Sequence, residues 1–190
     1  MSELLPEMKP LTALGAHAPR VDQHGPVTLT EVTRLAIASV QARLGHEAAC
    51  QTHLANLLDS HAPTVSELVM HDPEAAFWIG PDQWMVGAPY DSHEDLAAQL
   101  VTRFDGTASI TEQNDAWAVF DLQGDVEPVM ELLCPINIRA MPEQTAQRTS
   151  IHHISCFVTR RAADHLRILG PRSSAGSLHH ALLTAMKAAH

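Results

Sequence analysis

His46, Cys50 and His53 stand at i, i+4 and i+7, a spacing that puts all three on one face of a helix. Imidazole nitrogen and thiolate sulfur are zinc ligands, so that face has the chemistry to hold a metal. No fourth ligand is evident. Cys50 also falls on an apolar stripe with Leu54, Leu57 and Leu58, where an unpaired cysteine behaves as a small buried hydrophobe, so core packing is the expected role. The other histidine pairs make poorer clamps. His152 and His153 are neighbours on a predicted strand and would point to opposite faces, and His179 and His180 lie about 100° apart around a helix. Carboxylates recur as Glu94-Asp95, Asp121 and Asp125-Glu127. Paired acids can divide acid and base work when burial splits their pKa values. These fall at predicted helix starts and turns, where capping and the helix dipole account for them. Trp78, Trp84 and Trp117 all lie in predicted strands, where core or interface packing is the default.

Several chemistries lack their residues. No two glycines stand two apart, so the dinucleotide fingerprint is missing, and GxxxxGK[ST], HExxH and GxSxG do not occur. Twelve Lys and Arg against 22 Asp and Glu leave a net charge of −10, the wrong sign for a nucleic-acid surface. The 13 histidines make that charge steeply dependent on mildly acid pH. Cys50, Cys134 and Cys156 are odd in number and far apart, which argues against a disulfide framework and for a reducing compartment. No stretch approaches the roughly 20 apolar residues of a membrane span, and the first residues lack the basic and apolar regions of a leader. The expectation is a cytoplasmic protein with neither nucleic acid nor membrane as partner.

The elements that would position these side chains follow from period and punctuation. Residues 1–30 hold four prolines and no period, and read as an extended arm; residues 31–190 read as one domain. A strand is predicted over 32–43 and a helix over 46–60. A hairpin of 75–79 and 83–87 turns at Gly80-Pro81-Asp82. Leu96, Leu100 and Phe104 mark a helix over 92–104, opened by the capping-box-like Asp91 and Glu94. Strands over 107–111 and 116–122, a helix over 124–133, a strand over 145–159 and a short strand over 165–169 follow. Ser173 or Ser174 caps a last helix that buries Leu178, Ala181, Leu182 and Ala185. This order suits an α+β fold of two interleaved ferredoxin-like units, antiparallel or mixed sheets covered by helices.

Two segments carry a resemblance. Phe77-Trp78-Ile79-Gly80-Pro81-Asp82-Gln83-Trp84-Met85-Val86 resembles the W-L-G-P-D-E-W-L hairpin of the folate-binding-like domains of glycine-cleavage T-proteins. Arg148-Thr149, Ile151-His152-His153-Ile154, Arg160, Arg172-Ser173-Ser174-Ala175 and Ser177-Leu178 resemble, in that order, the gamma subunit of bacterial heterotetrameric sarcosine oxidase. Ser174 replaces the family's usual aromatic residue, residues 1–30 match nothing, and the K-G-C-x-x-G-Q motif of related tRNA-modification and iron–sulfur maintenance proteins is missing. The resemblance implies a folate-binding-like fold and a noncatalytic gamma subunit without a cofactor. Its partners would be alpha, beta and delta subunits that carry FAD, FMN, NAD, tetrahydrofolate and zinc. The complex would oxidatively demethylate sarcosine to glycine, an oxidation at the CH-NH group. The same pattern would fit a subunit of an N-methylglutamate dehydrogenase, or a free-standing folate-binding protein. Arg148 and Arg172 are the residues singled out, as interface contacts or as internal links between the last strand and the last helix; neither is assigned catalysis.

Overall fold

The computed structural model describes residues 9–190, so residues 1–8 of the expected arm lie outside it. The chain runs β1 (Val21–His24), β2 (Val27–Glu31), β3 (Leu35–Ala42), α1 (Glu47–Leu57), β4 (Leu68–His71), β5 (Glu74–Gly80), β6 (Gln83–Pro89) and α2 (Leu96–Arg103). It continues β7 (Ala108–Glu112), β8 (Trp117–Gly124), α3 (Val126–Glu131), β9 (Thr145–Ile151), β10 (Ile154–Ala162), β11 (His165–Pro171) and α4 (Ala175–Ala189). The expected α+β class is what forms.

Two sheets, antiparallel throughout, have the orders β4-β5-β6-β3-β7 and β1-β2-β8-β11-β10-β9. In the first, β3-α1-β5-β6-α2-β7 lie in space as β5-β6-β3-β7, the ferredoxin-like arrangement. In the second, β8-α3-β10-β11-α4 lie as β10-β11-β8, and the fourth place is filled by β2 from the start of the chain. The units are interleaved for that reason. Val27 and Leu29 of β2 are buried in the core over α4 and Thr28 and Thr30 alternate with them, so residues 21–31 are sheet and not part of an extended arm.

Three apolar clusters define the layers. One joins α1 and α2 to the first sheet through Leu54, Leu96, Leu100 and Phe104. One joins α3 and α4 to the second sheet through Phe120, Val129, Leu178 and Leu182. The third lies between the sheets and joins Ile37, Phe77 and Met85 to Val119, Phe157 and Leu169. The result is helices, sheet, sheet, helices. Each fully buried Leu or Phe in these layers contributes about 1.5–3 kcal/mol relative to exposure.

Some boundaries differ from expectation. The single strand predicted over 145–159 is the hairpin β9–β10. His152 (φ 47°) and His153 (φ 67°) occupy its two-residue turn, a geometry that needs positive φ at both positions. The two histidines are therefore turn residues and do not face opposite sides of a strand. Gly124 ends β8 instead of opening a helix, and β4 was not anticipated. Asp95, Asp125 and Ser174 hold the cap positions of α2, α3 and α4 but donate or accept no capping hydrogen bond through their side chains. Asp91 pairs with Arg34 instead of opening α2.

Candidate functional site

Alternation along β10 and β11 turns Cys156, Val158, Leu166 and Ile168 toward the helices and Phe157 and Leu169 toward the opposite sheet. Thr159, Arg161 and Arg167 continue that second face and line a cavity of about 270 Å³ between the sheets, with Ile37, Phe77 and Met85 across from them. Charged side chains have thus been placed at one end of an otherwise apolar layer.

Arg167 is fully committed. Its Nε and Nη2 donate to Asp121 Oδ1 and Oδ2 at 2.7 and 2.9 Å, a two-pronged pair. His165 Nε2 lies 3.3 Å from Asp121 Oδ1 but is not aligned to hydrogen-bond it. Burial alone would raise the Asp121 pKa; the Arg167 and His165 contacts outweigh it and hold the carboxyl at about 2 instead of 3.8. Asp121 is therefore a strand-face anion held by arginine, and no helix cap. A depressed carboxyl stabilises the fold above its unfolded pKa, and that contribution is lost as pH falls from about 4 through about 2. Asp121 should account for about 2 kcal/mol of the stability lost between pH 6 and pH 2.5 in urea unfolding. Arg167→Met should shrink the acid-dependent loss by about that share and leave the part due to the other carboxyls.

Arg161 differs from Arg167. Among the described residues it has no hydrogen-bond or ion-pair partner. Burial, and then repulsion from Arg167, lower its pKa below the usual arginine value, with Asp121 partly offsetting them. Arg34 is paired with Asp91 and packs 5.3 Å from the Tyr90 ring centre. Among the described lining residues Asp72 is the one carboxylate, exposed at the mouth.

The two arginines singled out from sequence lie elsewhere and apart. Arg148 is exposed on β9. Its Nε donates to Ser155 Oγ at 3.1 Å, its guanidinium lies 5.8 Å from the Phe157 ring centre, and it borders a second opening with the Gly80-Pro81 turn. Arg172 follows β11; its Nη2 donates to the Leu11 carbonyl at 3.0 Å, and Nη1 is 3.9 Å from Asp115. The links they make join β9 to β10 and residue 172 to the N-terminal segment. Glu31 pins that same segment: its two carboxylate oxygens accept the N–H groups of Leu14 and Arg20 at 3.0 and 3.1 Å. His179 Nε2, 2.7 Å from Asp22 Oδ2, fastens α4 to β1.

Cys50 and His53 pack inward from α1, whereas His46 is exposed at the start of that helix. Cys50 is buried, with its thiol pushed up to about 11 by desolvation, and the His53 ring lies 5.7 Å from Phe104. Among the described residues no group of three or more His, Cys, Asp or Glu side chains could hold a metal, the cysteines are free, and no helix is long and apolar enough to cross a membrane.

No family model and no curated protein matches the sequence. Among solved structures, the chain is similar to a chain of the heterotetrameric sarcosine oxidase from Corynebacterium sp. U-96 in complex with pyrrole 2-carboxylate. That match has 24% identity and a TM-score of 0.71, over 85% of this chain and 84% of that one. The fold is that of the sarcosine oxidase chain. The glycine cleavage system aminomethyltransferase T from Bartonella henselae is similar over 83% of this chain, at 14% identity and a TM-score of 0.63. This chain spans 45% of the aminomethyltransferase, about half its length. At these identities the likeness is one of fold, and it agrees with the folate-binding-like architecture expected from the two sequence segments.

Proposed function

We propose that this chain is a noncatalytic structural subunit, of the gamma type, in a heterotetrameric sarcosine oxidase that oxidatively demethylates sarcosine to glycine. Alpha, beta and delta subunits would then carry FAD, FMN, NAD, tetrahydrofolate and zinc, and this chain no cofactor. The observation that carries the reading is the near whole-length match, in both directions, to a chain of one such heterotetramer, against a match to half of the aminomethyltransferase. The ordered C-terminal residues Arg148, Arg160 and Arg172 support it from the sequence side.

A free-standing folate protein is the rival, and the cavities favour it less. A pterin site needs a buried carboxylate free to accept hydrogen bonds. Asp72 is exposed, and both oxygens of the buried Glu31 are already used by backbone N–H groups. Co-expression with the neighbouring genes, followed by light scattering and a flavin absorbance spectrum, tests the proposal. A large yellow complex that contains this chain and oxidises sarcosine is expected. A complex that oxidises N-methylglutamate instead would move the chain to the sister dehydrogenase. A monomer that ignores those partners and binds tetrahydrofolate would overturn the assembly reading.

A further inference from the structure

The inter-sheet cavity is unusual in its charge. Of three arginines in its lining, Arg167 is bound to Asp121 and Arg34 to Asp91. Arg161 is half-buried and, among the described residues, its side chain has no hydrogen-bond or ion-pair partner. A guanidinium presents five donors in a planar fork, and at Arg161 that fork stays open to whatever enters the cavity. Across from Arg161 are the apolar side chains of Ile37, Phe77 and Met85, and Leu169 lines the cavity on its own sheet. At about 270 Å³ the cavity is at the small end of ligand sites, too small for a dinucleotide.

We propose that this cavity binds a small organic acid, its carboxylate on Arg161 and its apolar body between the two sheets. This goes beyond the assembly role and does not depend on it. The carboxylate would meet the guanidinium fork two-pronged, as Asp121 meets Arg167. The exposed Asp72 at the mouth would disfavour dianions.

Benzoate and its uncharged isostere benzamide are the probes, titrated into the full chain while its melting temperature is followed. Benzoate is expected to raise the melting temperature with the logarithm of its concentration, as a ligand of the native state must. Benzamide should bind at least about tenfold more weakly, since it lacks the charge. Arg161→Gln should melt no lower than the parent, because an unpaired half-buried charge has been removed, and should lose the benzoate shift. Ala75→Phe fills the cavity while leaving Arg161 in place, and should lose the shift too; it decides the matter even if Arg161→Gln fails to fold. A benzoate shift that survives in either folded variant, or equal shifts from benzoate and benzamide, would overturn the proposal. So would a parent chain that ignores benzoate.

Discussion

Gly124→Ala is expected to lower the melting temperature by roughly 10 °C, corresponding to about 3 kcal/mol for a chain of this size. Gly124 has φ 106°, a conformation that side chains rarely adopt, and a Cβ there would lie 1.9 Å from the Pro26 carbonyl oxygen. The obstacle is backbone, so no rotamer change relieves it. Gly124 pairs with Val27, the first residue of β2, at the point where the N-terminal strand joins β8. The chain must either abandon the Val27 end of that ladder or shift β8, and both expose Val27 and Leu29, which are buried against α4. Hydrogen exchange should therefore speed up in β1 and β2 before it does in β5 and β6. Gly176→Ala is the control: nothing lies within 4 Å of its would-be Cβ, it is helical, and alanine there should be neutral or stabilising. If both alanines behave alike, the close approach of β2 to β8 is not what Gly124 serves.

That strand also shows where sequence reasoning reached and where it stopped. α2 was legible because Leu96, Leu100 and Phe104 repeat every four residues and all are buried. The β5–β6 turn was legible because Pro81 presets φ and Asp82 tolerates φ 53°. β2 was not read, although Val27-Thr28-Leu29-Thr30-Glu31 alternates cleanly. Pro19, Gly25 and Pro26 around it outweighed a five-residue signal, and its partner β8 is almost a hundred residues away. Two ferredoxin-like units need eight strands, whereas the periodic segments number seven; the eighth is β2, in the proline-rich N-terminal stretch. The His152-His153 turn carried no local signal, because positive φ at two successive positions is ordinarily marked by Asn-Gly. Arg161 was missed for a different reason. Its face follows from alternation with Phe157 and Thr159, but its lack of a partner emerges only once Arg167 has taken Asp121. Arg148 and Arg172 were picked by their place in the C-terminal segment, which says nothing about burial.

Arg160→Leu is expected to destabilise the protein by about 3–5 kcal/mol, the range for removing one partner from a buried charged network. Arg160 is 6% exposed and turns from β10 into the layer packed by Cys156 and Val158. Its Nη1 donates to the carbonyls of Ile138 and Met141, and its Nη2 donates to the Ala163 carbonyl at 2.8 Å and to Glu127 Oε1 at 3.3 Å. One side chain thus satisfies the 3₁₀ turn at Ile138–Ala140, the β10–β11 connection and the first turn of α3. A leucine would fill part of the volume and leave the buried Ile138 and Met141 carbonyls without that donor, each unfavourable by about 1–3 kcal/mol. Arg160→Lys should recover only part of the loss, because an ammonium cannot reach carbonyls on both sides as a planar fork does. Glu127→Gln should do less damage alone, since Glu127 also has Arg139 beside it at 3.5 Å. The double variant should fall short of the sum, because the two residues share one contact. Denaturant unfolding of the parent and these four variants measures this directly. A loss below about 1 kcal/mol in Arg160→Leu would mean that water replaces the guanidinium. In that case Arg160 would owe its place in the C-terminal segment to something other than the fold, and a contact with a neighbouring subunit would become the first explanation to test.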